Sequence, residues 1–300
     1  IIIFSVMGLL GNILAFCYFW KSRCKTIPDL LYLAISATDI LSVTIFSLAG
    51  ISLLNDRKPM LFDNKVFCTV YSSVIIFTAR MSMFLAMMIC ITRTIAMKYP
   101  FFHIKRSWLI GAISGYAGYM IVMYLIYLPQ KWHYAQYAKV LSFCFVVYLN
   151  FHYAPVFAAY FGVISLFLEL TLPSLVTFVC FCISTFVLIT RPAVGNEDEN
   201  KFRRVSVTIA IFTAVFLICN IPCFLYLMLE FLELERHYFE VFSGDRAYLK
   251  YYSQLMMQFF PVFLNAAINP LFYLLRMRKY QNWTRQTLKK LKDSITHLTR

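Results

Sequence analysis

The chain of 300 residues is 61% apolar and 14% charged, whereas soluble domains are about 45–50% apolar and about 25% charged. This composition excludes a soluble, disordered, collagen-like or coiled-coil protein and predicts an all-α membrane protein. The net charge is +14, but the basic residues cluster in short gaps between apolar runs, which is typical of a cytoplasmic membrane face and does not favour nucleic-acid binding.

Seven apolar runs are each long enough for a spanning helix, which needs about 20 residues. They cover residues 1–20, 30–54, 66–97, 108–128, 156–190, 203–230 and 251–275. We therefore predict a seven-transmembrane helix bundle as one domain over residues 1–275.

Residues 276–300 combine many basic side chains with spaced apolar ones. This pattern predicts a short amphipathic eighth helix that lies along the headgroups and contacts anionic membrane lipids, followed by a cytoplasmic tail. A solvated basic tail fits the same composition. Segments 21–29, 98–107 and 191–204 lie on the same side of the membrane as the tail. Together with the tail they carry a net charge of +13, against +1 for the opposite side, so the positive-inside rule predicts an extracellular amino terminus.

Apart from the charged residues at the ends of span six, four charged residues lie inside the predicted spans, where an unpaired charge is costly. They are Asp39, Arg80, Arg93 and Glu169. Arg80 and Glu169 are expected to face each other, either as a structural ion pair or as a contact for a charged ligand group. Arg93 lies at the inner end of span three, where an arginine can also simply reach the lipid headgroups.

Several polar residues on other predicted spans could lie close to Asp39. Its candidate neighbours are Asn12, Ser82, Asn265 and Asn269. A carboxylate with neutral oxygens suits a small hard cation such as sodium. A structural hydrogen-bond network that joins the helices fits the same residues, and the sequence favours neither.

Taken in chain order, these motifs resemble the rhodopsin-like (class A) G-protein-coupled receptors over the whole chain, with divergent third- and sixth-helix motifs. The matching residues are Gly11, Asn12, Leu33, Ala34, Asp39, Cys68, Arg93, Trp108, Pro173, Pro222, Asn269, Pro270, Tyr273 and Tyr280. The resemblance implies a plasma-membrane receptor that binds an extracellular ligand in the helix bundle and activates a heterotrimeric G protein. It implies no enzyme activity and no cofactor except an allosteric sodium ion.

The resemblance also implies roles for individual residues. Cys68 would form a disulfide with Cys144, and Asp39, Ser82, Asn265 and Asn269 would hold the sodium ion. The residues implied in coupling and activation are Arg93, Asn220, Pro222, Asn269, Pro270 and Tyr273. The residues expected around the ligand are Tyr71, Ser72, Ile75, Ile76, Ala79, Arg80, Ser165, Glu169, Cys223, Phe224, Leu227, Gln258 and Phe259.

Two of the positions around the ligand narrow its class. Ile75 stands where amine receptors carry an aspartate, and Phe263 stands where opsins attach retinal, so neither class is indicated. A peptide or a small organic molecule fits what remains. The acidic residues between 230 and 245 mildly favour a basic peptide, although plain solvation explains them as well.

The chain departs from the family pattern near the arginine and on span six. Thr92 and Thr94 replace the usual acidic residue and tyrosine beside Arg93, and Asn220 replaces the usual tryptophan. An arginine without its adjacent carboxylate predicts a weak inactive state and elevated basal activity.

Three other kinds of protein share this composition: a receptor-like protein without G-protein coupling, a small-solute transporter and an intramembrane hydrolase. The seven runs show no internal repeat of the kind found in many transporters. The histidines lie in predicted loops or the tail, and no HExxH or GxSxG motif occurs, so the sequence does not predict an enzyme.

Overall fold

The computed structural model describes residues 2–22, 26–54, 65–99, 101–134, 167–190, 207, 210–211, 213–220, 263–274 and 277–298. Within these residues, five helical segments are long and apolar enough to cross a membrane. They lie in α1 (Ile2–Lys21), α2 (Ile27–Leu54), α3 (Lys65–Lys98), α4 (Arg106–Tyr134) and a helical segment that joins a π-helical turn (Phe167–Thr171) to α5 (Leu172–Thr190).

The predicted spans six and seven are described in part. Residues 213–220 are helical and are here named α6, and the apolar helix Phe263–Leu274 is named α7. The complete seven-helix bundle stays a prediction, because the other residues of these spans lie outside the described ones. A further helix, α8 (Arg278–Leu298), follows α7 where the sequence predicts the amphipathic helix.

Local chemistry sets the helix boundaries at two places. Thr26 and Asp29 cap the start of α2 reciprocally, since the backbone N–H of each bonds the side chain of the other at 3.1 and 3.4 Å. This cap explains why α2 begins three residues before the predicted position. The second place is the π-helical turn before α5, a wide turn that contains Glu169. The backbone carbonyl of Glu169 cannot accept an α-helical hydrogen bond from Pro173, because proline has no N–H.

Helix α3 lies at the centre of the described fold. It packs against α2, α4 and α5, while α1 packs against α2 and α8. Apolar side chains of α1, α2, α3, α4, α6, α7 and α8 form a shared core that includes Leu85 and Ile89. Helices α1 and α7 approach very closely at Gly11, where an added Cβ would lie 2.5 Å from Pro270 Cβ.

Several polar side chains are buried in the bundle, and many large apolar ones are exposed on its surface, which is unusual for a soluble protein. Asn12 and Asp39 are completely buried, whereas Ile3, Trp20 and Ile189 are exposed by 73%, 68% and 78%. Five membrane-length helices with this arrangement form a multi-pass membrane protein whose apolar surface faces lipid.

Candidate functional site

Asp39 on α2 is the centre of a buried polar cluster. Ser82 of α3 donates a hydrogen bond to its Oδ1 at 3.4 Å, and Asn269 of α7 donates one from Nδ2 to Oδ2 at 2.6 Å. The side chain of Asp39 is completely buried. The structure therefore brings three of the four residues of the predicted sodium set together through hydrogen bonds, and these bonds join three helices.

Asn12 was expected beside Asp39, but its amide bonds backbone carbonyls instead. Its Nδ2 donates to the carbonyls of Gly8 and Ala266, each at 2.9 Å, so that Asn12 joins α1 to α7. Its Oδ1 is buried and has no hydrogen-bond partner among the described residues. Asn265 is also buried, one helical turn before Asn269.

The chemistry of this cluster fits a sodium ion. It combines a carboxylate, the Ser82 hydroxyl and amide oxygens, which are the ligands that small hard cations take in proteins. The same groups also satisfy one another through the hydrogen bonds already described. The sodium site therefore stays a prediction.

The ion pair expected between Arg80 and Glu169 is present. Nε of Arg80 lies 3.8 Å from Oε2 of Glu169, and the two side chains are 11% and 3% exposed. Tyr119 of α4 donates a hydrogen bond of 3.2 Å to the other carboxylate oxygen, Oε1. The pair and the tyrosine thus connect α3, α4 and the wide turn before α5.

Two donors in this region lack an acceptor among the described residues. They are Nη1 of Arg80 and the hydroxyl of Tyr116, both of which are buried. The Tyr116 ring stacks on Phe84 with centroids 4.1 Å apart and lies 6.0 Å from the Tyr119 ring. Because a buried donor without an acceptor is unfavourable, this region has capacity for a water molecule or an oxygen-bearing ligand.

A cavity of about 290 Å³ lies between α2, α3, α4 and the turn before α5. Its lining residues are Leu41, Val70, Ser73, Val74, Ile76, Phe77, Met120, Ile121, Met123, Tyr124 and Glu169. Leu41, Val70 and Ile121 are 43%, 52% and 53% exposed, so the cavity reaches the outer surface of the helices. Glu169 is the charged residue of an otherwise mostly apolar wall.

Arg93 lies in the last two turns of α3. Its Nε is buried and has no hydrogen-bond partner among the described residues. The neighbouring Thr92 turns back to donate to the carbonyl of Ile89 at 3.0 Å. Within the described part of the chain, Arg93 therefore has no carboxylate partner.

Two contacts tie the inner half of α3 to its neighbours. The hydroxyl of Thr94 lies 3.0 Å from that of Ser184 on α5 and 3.5 Å from the carbonyl oxygen of Cys180. Cys90 Sγ lies 3.2 Å from the Thr213 hydroxyl on α6. Small polar side chains thus join α3 to α5 and α6 in this region.

Tyr273, near the end of α7, belongs to a buried aromatic cluster. Its ring centroid lies 5.6 Å from Phe19, 5.3 Å from Tyr32 and 6.2 Å from Tyr280. The Tyr280 ring, in the first turn of α8, also stacks on Trp283 at 6.3 Å. Burial raises the pKa of Tyr280 to about 12, so this phenol is neutral at physiological pH. The cluster anchors α8 against α1, α2 and α7.

The family model for the 7 transmembrane receptor (rhodopsin family) matches residues 11–273, which is most of the chain. The protein belongs to the rhodopsin family of seven-transmembrane receptors. A comparison with curated protein sequences finds no match. The family resemblance inferred from the motifs is thereby confirmed.

The receptor fold places the predicted ligand residues in different surroundings. Ile76 and Glu169 line the cavity, while Ile75 and Ala79 are buried. Arg80 has been described above. For each of the other predicted contacts, either the whole residue or its side chain lies outside the described part of the chain. These are Tyr71, Ser72, Ser165, Cys223, Phe224, Leu227, Gln258 and Phe259.

Other sequence predictions also fall outside the described part of the receptor. They concern the disulfide between Cys68 and Cys144, and the role of Pro222 in activation. Asn220, two residues earlier, is buried and donates from Nδ2 to the carbonyl of Phe216 at 2.7 Å. Pro270 is buried against Gly11, and Trp108 is 77% exposed near the start of α4.

Tyr119, which donates to Glu169, and the neighbouring Tyr116 are not among the residues predicted from the sequence. Their spacing of three residues places both on one face of α4, which was the available signal. A tyrosine in a spanning helix is common, and the identity of the facing helix is decided by packing. The acceptor of Tyr119 could therefore be found only in the structure.

Proposed function

We propose that this receptor resides in the plasma membrane with its amino terminus outside, binds an extracellular ligand within the helix bundle and activates a heterotrimeric G protein. The observation that carries the proposal is the state of Arg93. This arginine lies at the inner end of the central helix, and no described carboxylate holds it in place. A guanidinium without a fixed partner is ready to bond acceptors on a cytoplasmic protein.

The ligand site is proposed around the Arg80–Glu169 pair. Both side chains are mostly buried, and the adjacent cavity supplies apolar contact area. Such a combination of apolar surface and a few polar groups is usual for ligand pockets. A peptide or a small organic molecule is consistent with these features.

A sodium ion is proposed as an allosteric ligand at Asp39, with Ser82, Asn265 and Asn269 as the other candidate residues. The hydrogen bonds of Asp39 join α2, α3 and α7, so an ion bound there would favour one arrangement of these helices. By linkage, it would then change the affinity for any ligand or partner that favours another arrangement.

The central experiment compares basal second-messenger output from the full chain and from Arg93→Ala, at equal surface expression. Arg106→Ala is the matched control, because Arg106 is an exposed arginine at the start of α4, on the same predicted cytoplasmic side. We expect a wild-type signal above that of empty-vector cells, loss of this signal in Arg93→Ala and retention in Arg106→Ala. A signal that survives Arg93→Ala would contradict the proposed role of Arg93.

A receptor-like protein without G-protein coupling is the second candidate. The contacts of Thr94 with Ser184 and of Cys90 with Thr213 favour it, since they tie α3 to α5 and α6 near the cytoplasmic end. Output of the wild type that equals empty-vector cells, both with and without a ligand that binds, would favour this candidate.

A further inference from the structure

We propose that the cavity between α2, α3 and α4 binds a single-chain lipid with a neutral hydroxyl head group, which enters from the bilayer. The apolar chain would occupy the groove, and the hydroxyl would bond Glu169 at its end. Because Glu169 also belongs to the proposed ligand site, this inference deepens that proposal by naming a ligand class and a route of entry.

The position of the opening indicates entry from the membrane. The exposed residues at its rim, Leu41, Val70 and Ile121, are apolar and lie on three helices that the receptor uses to cross the bilayer. Leu41 and Ile121 lie within the apolar segments 27–45 and 106–126. An opening at this depth is surrounded by acyl chains rather than by water.

The size of the cavity favours a slim occupant. Its volume of about 290 Å³ lies at the lower end of the roughly 300–1,000 Å³ of typical ligand pockets. One chain fits a groove of this size better than the two chains and bulky head group of a phospholipid. The wall is built mostly from valine, isoleucine, leucine, methionine and phenylalanine, which suits a hydrocarbon chain.

The charges favour a neutral head group. Arg80 and Glu169 already balance each other at 3.8 Å, so a charged head group would leave a net charge in a region of low dielectric constant. A hydroxyl adds no charge and both donates and accepts hydrogen bonds. It can donate to the carboxylate of Glu169, which lines the cavity.

Photolabelling of the purified full chain in phosphatidylcholine vesicles tests the proposal. The probes are a long-chain alcohol, the matching fatty acid and the matching amine, each with a photoreactive diazirine and an alkyne tag on the chain. We expect the alcohol to label strongest, excess untagged alcohol to compete, and the label to fall on residues of α3 and α4 that line the cavity. No competed label, a label elsewhere in the chain or stronger labelling by the acid or amine would overturn the proposal.

Two adjacent residues of α4 provide a matched pair of variants. Ile121 lines the cavity and Val122 does not, yet they are 53% and 55% exposed. A tryptophan at position 121 fills the groove, so Ile121→Trp should reduce labelling by about tenfold, whereas Val122→Trp should leave it unchanged. Equal labelling of the two variants would show general contact with lipid and would overturn the site.

The head-group preference has its own variant. Glu169→Gln removes the negative charge and leaves Arg80 without its counter-ion, so the acid probe should become the strongest label. A preference for the alcohol that persists in this variant would overturn the role of Glu169. If Glu169→Gln does not fold, the two tryptophan variants still decide the proposal. Labelling needs no G protein, so its failure is distinguishable from a failure of coupling.

Discussion

Thr94 and Ser184 join α3 to α5 through their hydroxyl groups, which lie 3.0 Å apart. Thr94 directly follows Arg93, so this contact fixes the backbone beside the arginine without engaging its guanidinium. The inner end of the receptor is thus held by short neutral side chains. Such contacts contribute less than a buried ion pair with good geometry, and they leave the charge of Arg93 unneutralised within the described residues.

A carboxylate supplied beside Arg93 should lower basal signalling. Thr92→Asp places a negative charge next to the guanidinium, and an ion pair of about 0.5–1 kcal/mol would reduce basal output roughly two- to fivefold. Thr92→Asn is the control, since it has nearly the same size without the charge. Second-messenger output at equal surface expression measures the effect, and equal output from the two variants would contradict the prediction.

The Arg80–Glu169 pair should show strong coupling in a double-mutant cycle. Glu169→Leu leaves a buried guanidinium unpaired and should cost about 3–5 kcal/mol, whereas Arg80→Leu combined with Glu169→Leu should be destabilised less than either single variant. Tyr119→Phe removes one hydrogen bond and should cost about 1 kcal/mol. Thermal unfolding in detergent micelles measures these differences. Additive losses in the double variant would show that the two charges do not stabilise each other.

Sodium should stabilise the receptor through Asp39. The wild type should melt at a higher temperature in sodium chloride than in choline chloride of equal ionic strength, because a ligand that binds only the folded state stabilises it. Asp39→Asn should abolish the difference. Asp29→Asn is the control and should preserve the difference. Asp29 is an aspartate on the same helix, but it caps the start of that helix through Thr26. An unchanged sodium effect in Asp39→Asn would place the ion elsewhere, and no effect in the wild type would leave Asp39 a purely structural role.

Gly11 should tolerate no side chain. In Gly11→Ala the new Cβ would lie 2.5 Å from Pro270 Cβ, and separating α1 from α7 should cost about 1–3 kcal/mol. Gly115 on α4 is the matched control, since a Cβ there meets nothing within 4 Å. Gly115→Ala should be neutral or stabilising by up to about 1 kcal/mol, because alanine favours a helix. Melting temperatures in detergent compare the two, and an equal effect would contradict the close approach of α1 and α7.

Membrane class and helix order could be predicted because they depend on properties that are local in the chain. A run of apolar residues specifies a spanning helix wherever it occurs, and the order of motifs such as Asp39, Arg93 and Asn269 was sufficient to indicate the family. The pairing of Arg80 with Glu169 followed from energetics alone, since a lone charge inside a membrane is unfavourable. That pairing is confirmed in the structure.

Other features depend on which sides of the helices face one another. The hydropathy pattern of the sequence does not specify how each helix is rotated about its own axis. The bonds of Asn12 to Gly8 and Ala266, the tyrosine at Glu169 and the cavity that opens beside Ile121 were settled by packing. Every spanning helix of this chain is apolar around most of its circumference, so the pattern marks its buried side only weakly. The sequence by itself determined that the chain is a multi-pass membrane protein and which charges need partners. The tertiary structure decided which partners they found, because side chains on different helices meet only after the helices are packed.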